Sequence, residues 1–153
     1  MRVAFFGAHP DDIELSMGGT LIKYKEQGHE VFMVIATDGC RGAAVPEERG
    51  AKLAELRKKE AISAAAHVGI TPIFLGFEDH RLIYNRESFD KFEEVISDIK
   101  PDVIFTHDPD DYHSDHRTTS RLVVDTCFVP VFFSDTRLSI GFHPEFCVDI
   151  TNQ

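Results

Sequence analysis

Uninterrupted apolar runs punctuate the chain at Val3 to Phe6, Val31 to Ala36, Pro72 to Phe77 and Val103 to Phe105. Runs without alternation are expected of strands covered on both faces, as in a parallel sheet. Between them the apolar positions take helical spacing. Ile13, Leu15, Met17, Leu21, Ile22 and Tyr24 predict a helix from about Asp11 to Gln27, stopped by Gly28. Glycines in a helix cost about 1 kcal/mol each, so Gly18-Gly19 points to close packing on the sheet or to a nearby ligand. An Ala-, Leu-, Glu-, Arg- and Lys-rich stretch predicts a helix from Glu47 to Val68, and Phe89, Phe92, Val95, Ile96 and Ile99 predict one from Ser88 to Lys100. A last helix is expected from Ser114, as N-cap, to Cys127. Short runs from Val129 to Ile150, broken by Pro130, Gly141 and Pro144, read as peripheral strands.

Strand and helix thus alternate four times, which predicts an α/β fold: a three-layer α/β/α sandwich around a Rossmann-like, mostly parallel sheet. The commonest strand order is 3-2-1-4, here with the peripheral strands added. In that order the loops after strands one and four face one crevice, where the winding reverses.

The length of 153 residues suits one domain spanning 1–153. A formal net charge of -10 repels nucleic acid and anionic lipid. The basic cluster Arg57-Lys58-Lys59 lies beside Glu55 and Glu60, as on a solvated helix face. The N-terminal apolar run is too short for a signal peptide, and no run approaches a membrane span. Three widely spaced cysteines, Cys40, Cys127 and Cys147, indicate neither a disulfide framework nor a zinc knot, so the expected location is the cytoplasm.

The two loops at the crevice carry the chemistry. His9 and Asp12 are three residues apart, and His113 and His116 repeat that spacing. In a turn entering a helix, residues three apart share a face. His9, Asp12 and His116 are therefore the expected ligands of one divalent ion, with positions left for water as in catalytic zinc centres. Asp11 would point about 100° away, free to act on bound water. The competing reading of Asp11 and Asp12 is a helix cap, worth about 0.5–1 kcal/mol each. Asp108, Asp110 and Asp111 read as solvated loop carboxylates, and His29 and His67 as structural. Thr37-Asp38-Gly39 and Arg41 would either line the crevice or form a turn. Asp79 and Arg57 carry little weight from spacing alone.

With A-H-P-D-D at 8–12, T-D-G at 37–39, R-x-x-E at 57–60, H-S-D-H at 113–116 and V-D-I-T at 148–151, the chain resembles the LmbE-like, or PIG-L, family of metal-dependent N-acetylglucosamine de-N-acetylases. The resemblance implies zinc on His9, Asp12 and His116, with Asp11 as general base. It also implies a protonated His113 stabilising the oxyanion, with Asp115 in support. Asp38, Arg57 and Asp79 would hold the sugar, with Arg41 at the same loop. The expected partner is a small N-acetylglucosaminyl conjugate, hydrolysed to acetate and a free amino sugar. Iron(II) or another divalent metal suits the same donors, and a homo-oligomer is an open alternative. Relatives usually continue past V-D-I-T, so a C-terminally incomplete domain is expected. Two rivals stand: an iron(II) oxygenase, from the two-histidine, one-carboxylate set, and a non-catalytic Rossmann-like sugar- or nucleotide-binding module. The module is disfavoured because the first loop lacks Gly-x-Gly-x-x-Gly.

Overall fold

The computed structural model describes residues 1–135 and 141–151. Five strands, β1 (Arg2–Gly7), β2 (Glu30–Thr37), β3 (Ile73–Phe77), β4 (Val103–His107) and β5 (Val131–Ser134), form one sheet in the order β3-β2-β1-β4-β5. Every pairing is parallel. The expected order is therefore observed, with β5 added beside β4.

Alternate residues of β1 feed two separate cores, which is why the run has no polar positions. Val3 and Phe5 pack with Ile13, Leu21, Ala61 and Ala65 on one face of the sheet. Ala4 and Phe6 pack with Phe92, Ile96, Leu122 and Val123 on the other. The first face is covered by α1 (Asp12–Ser16), α2 (Gly18–Glu26) and α3 (Ala51–Ala66), the second by α4 (Arg86–Ile99) and α5 (Ser114–Thr126). Phe92 is fully buried against Phe6, with ring centroids 5.9 Å apart. Phe92→Ala is expected to cost about 3–5 kcal/mol, read as a lower urea midpoint at unchanged slope.

Element ends differ from expectation for local reasons. The single helix expected over 11–27 is two, broken at Met17, whose φ is -128°. Gly19 explains the glycine pair, since a Cβ there would lie 2.7 Å from Ile150 Cδ1. The helix expected from Glu47 is a 3-10 turn at Pro46–Glu48, and α3 begins only after Gly50, at φ +113°. Ser88 does not start α4. Asn85 caps it, accepting from Ser88 N–H while Ser88 Oγ accepts from Asn85 N–H. Of the peripheral strands expected over Val129 to Ile150, β5 is the one observed among the described residues, and 136–140 lie outside them. Among the described residues, no helix is long and apolar enough to cross a membrane.

Candidate metal centre

The carboxyl ends of β1 and β4 are adjacent, and backbone bonds hold their exit loops together. Ala8 N–H donates to His107 Nε2 at 2.9 Å, and Ala8 O accepts from Thr37 N–H at 2.7 Å and Thr37 Oγ1 at 2.8 Å. This fixes the residue before His9 against both neighbouring strands.

His9, Asp12 and His116 converge, each at most 8% exposed. His9 Nδ1 lies 3.2 Å from His116 Nε2 and 3.3 Å from Asp12 Oδ2, while His116 Nε2 lies 3.3 Å from Asp12 Oδ1. Donors about 2.0–2.1 Å from a tetrahedral zinc are separated by about 3.3–3.4 Å; the two imidazole nitrogens stand near that spacing, and Asp12 turns Oδ2 to His9 and Oδ1 to His116, so the donor set suits such an ion. The charge balance fits too. Four buried carboxylates, Asp12, Asp79, Asp111 and Asp115, surround these imidazoles. Burial disfavours a charged His9, but hydrogen bonds to Asp115, Asp12 and Asp79 outweigh it and push its pKa up to about 11. Burial likewise opposes the Asp12 charge, yet hydrogen bonds from His116 and His9 hold that carboxyl well below its usual range, while His107 Nε2, already accepting from Ala8 N–H, is no donor to it. A cluster that retains a proton so strongly is one that a divalent cation would also satisfy, with proton release on binding.

Each of these two imidazoles has a carboxylate behind it. His9 Nε2 faces Asp79 Oδ1 at 3.1 Å and Asp115 Oδ2 at 3.4 Å. His116 Nδ1 faces Asp111 Oδ1 at 3.0 Å. That arrangement fixes tautomer and ring orientation in metal-binding histidines. His107, fully buried, stacks on His116 with centroids 3.9 Å apart and planes within 7°.

Asp11 stands outside the triangle at the N-terminus of α1, with a φ of 129°. Its side chain makes no cap bond, contrary to the capping reading; instead Oδ2 pairs with Arg57 Nη2 at 2.7 Å. Burial raises the Asp11 pKa, opposed by Arg57. Arg57 also donates to Pro10 O at 2.7 Å and Gly39 O at 3.2 Å, bracing the β1 and β2 loops. Its guanidinium packs so closely on Gly39 and Gly42 that a Cβ at either would collide with it.

His113, not Ser114, is the N-cap of α5, its Nδ1 accepting from Asp115 N–H at 3.2 Å. A neutral ring in that bond carries its proton on Nε2. Burial, with His9 and His116 nearby, lowers its pKa to about 4. The lowered pKa and the cap bond favour a neutral Nε2–H donor over the protonated one expected from sequence. Asp115 supports His113 through its backbone; its carboxylate accepts from His80 N–H at 2.7 Å and faces His9.

A cleft of about 370 Å³ opens onto these groups, lined by His9, Asp11, Asp12, Arg57, His113 and His116 among others. Asp38 and Arg41, expected to hold the sugar, are not among the residues lining it. Asp38 Oδ1 accepts from Cys40 N–H at 3.0 Å and Asp79 N–H at 3.1 Å, the turn alternative, because a short carboxylate at a strand end closes on nearby amides. The Arg41 side chain turns outward to Glu78 at 2.8 Å. Asp79 lines the cleft, but its carboxylate is engaged by His9 and by Arg41 N–H at 2.9 Å rather than presented to a sugar. Asp111, expected to be solvated, is 1% exposed. Neither it nor His107 has a periodic or motif signal that could have found it; their partners are contributed by the fold.

The family model described as PIG-L, GlcNAc-PI de-N-acetylase, matches residues 4–127. A 1D-myo-inositol 2-acetamido-2-deoxy-α-D-glucopyranoside deacetylase of Thermomonospora curvata is 31% identical over 80% of this chain and 51% of its own length. A solved N,N'-diacetylchitobiose deacetylase from Pyrococcus horikoshii is 34% identical, with a TM-score of 0.76 over 81% of this chain and 48% of that one. A conserved protein from Thermus thermophilus superposes over 99% of this chain and 72% of its own, at 28% identity and a TM-score of 0.84. The chain spans about half the length of the curated relatives it matches. Fold, motif positions and the extent of the family match together place this chain in the PIG-L, GlcNAc-PI de-N-acetylase family.

Proposed function

We propose that this chain carries the metal centre and proton-transfer groups of an N-deacetylase acting on an N-acetylglucosaminyl conjugate. The observation that carries the reading is the convergence of His9, Asp12 and His116 at 3.2–3.3 Å, with Asp12 facing the two imidazoles through its two oxygens and the Asp11 carboxylate beside the cluster, paired with Arg57. Held by those three residues, a divalent ion would supply Lewis acidity, lowering the pKa of water and polarising the acetamide carbonyl. Zinc suits two imidazoles and a carboxylate, and iron(II) is compatible with them.

Asp11 takes the proton of the attacking water and later delivers it to the departing amine nitrogen. The water oxygen bonds to the acetamide carbon, the C–N bond breaks, and acetate and the free amino sugar leave. His113 Nε2–H donates to the carbonyl oxygen as it gains charge. Arg57 keeps Asp11 in place through its pair with Oδ2. Asp79 and Asp115 hold the His9 ring, and Asp111 holds that of His116. The unpaired Cys40, Cys127 and Cys147 support a reducing, cytoplasmic setting.

The test is to incubate the zinc-loaded chain with N-acetylglucosaminyl-inositol and N,N'-diacetylchitobiose and follow primary amine and acetate. Equal release of the two products supports the reading; metal-loaded protein that releases neither from any such conjugate sinks it. Asp111→Asn is expected to weaken metal binding about 10- to 100-fold in chelator competition. Parent affinity in that variant would remove Asp111 from the metal's support.

A further inference from the structure

His80 stands at the cleft rim with no part in the proposed reaction, yet it is held in place. Its φ is +60°, a left-handed conformation for which histidine is among the more tolerant residues. Its backbone N–H donates to Asp115 Oδ2 at 2.7 Å, and Arg81 N–H closes the turn on Glu78 O at 3.0 Å. The imidazole, about half exposed, lies against His113 with centroids 4.6 Å apart. His80 Nε2 is 3.3 Å from His113 Nε2 and 3.9 Å from Asp79 Oδ1. All three donor atoms fall within 4.8 Å of one another.

We propose that Asp79, His80 and His113 form a second, weaker divalent-cation site whose filling inhibits the enzyme. The proposal rests on the reading of the first site as the metal centre. Two imidazole nitrogens and a carboxylate oxygen are a zinc-type donor set, and the 3.3 Å between the two nitrogens matches a tetrahedral edge of about 3.3–3.4 Å.

Two features make this site the weaker one. The 3.9 Å between His80 Nε2 and Asp79 Oδ1 must shorten, and that oxygen already serves His9 at 3.1 Å. In addition, a cation on His113 Nε2 sends the ring proton to Nδ1, where it replaces the 3.2 Å cap bond from Asp115 N–H, a bond worth about 1 kcal/mol. The first equivalent therefore goes to the triangle. The second removes the Nε2–H donor from the carbonyl oxygen, so activity falls once it binds. The competing account of the same contact is a plain His113-to-His80 hydrogen bond.

The experiment is a zinc titration of the metal-free chain by calorimetry, repeated with cobalt(II) followed by its visible absorption, on the parent and on His80→Asn. Asparagine is chosen because it tolerates the left-handed backbone. The parent is expected to bind two equivalents, the second at least tenfold more weakly than the first. His80→Asn should keep the first equivalent, which also reports that it is folded, and lose the second. With a cleaved substrate, parent activity should fall at least tenfold as the second equivalent fills, and the fall should be absent over that range in His80→Asn. One equivalent in the parent, or a second that His80→Asn leaves unchanged, overturns the proposal. Those readouts are binding measurements and stand even if no conjugate is hydrolysed, so failure of this site and failure of the deacetylase reading are distinguishable.

Discussion

Asp11→Asn is expected to lower kcat/KM by about 10²- to 10⁴-fold while bound metal stays at the parent level, the range associated with loss of a general base. Asp11 suits that role by position and environment. Its carboxylate is outside the donor triangle, so its replacement leaves His9, Asp12 and His116 intact. Burial raises its pKa toward the range where a carboxylate both accepts and returns a proton, and the 2.7 Å pair with Arg57 keeps enough anionic character to accept one. Asparagine preserves size, can still accept from Arg57 and is the substitution nearest aspartate in backbone preference at the φ of 129°. Metal content by mass spectrometry and kcat/KM on a cleaved conjugate are measured on the same preparation. Parent activity in a fully metal-loaded variant would show the base to be elsewhere.

His113→Gln is expected to lower kcat by about 10²- to 10³-fold, the loss seen when one donor to a developing oxyanion is removed. The pH profile distinguishes a neutral donor from a charged one. With its pKa lowered to about 4, His113 is already neutral at pH 6 and does not titrate as pH rises further. The parent and the variant should therefore share the same limbs between about pH 6 and pH 9, displaced in rate alone. An alkaline limb present in the parent and lost in His113→Gln would show an imidazolium donor. The structural basis of the neutral ring is the helix cap: Nδ1 accepts from Asp115 N–H, which leaves Nε2 as the one N–H of the ring.

The two loops of the candidate metal centre are legible in the amino-acid sequence, because strands buried on both faces leave an unmistakable apolar run and polar residues crowd where each run stops. His9-Pro10-Asp11-Asp12 follows β1 and His113 to His116 follow β4, and the rule for winding reversal puts those ends side by side. The supporting groups are not legible in the same way. Asp111 looks solvated in a loop that also holds Asp108 and Asp110, and only the path of that loop over His116 buries it. Arg57 looks like part of a solvated helix face, yet the packing of α3 directs it onto Asp11, Pro10 O and Gly39 O. Asp38 allows crevice or turn, and the positions of the Cys40 and Asp79 amides decide for the turn. The close packing at Gly19, the second residue of α2, depends on Ile150, more than a hundred residues away in the chain.

By itself, then, the sequence determined the α/β class and the residues that could be offered to a metal, since periodicity and spacing are local properties of the chain; the strand order followed from the commonest arrangement of that class. The tertiary structure alone decided which carboxylates stand behind His9 and His116, that His113 caps α5, and that Asp11 is paired with Arg57. Those facts depend on contacts between β1, β2, β3 and β4 loops distant in sequence, and burial and charge pairing arise only when such loops are brought to one edge of the sheet.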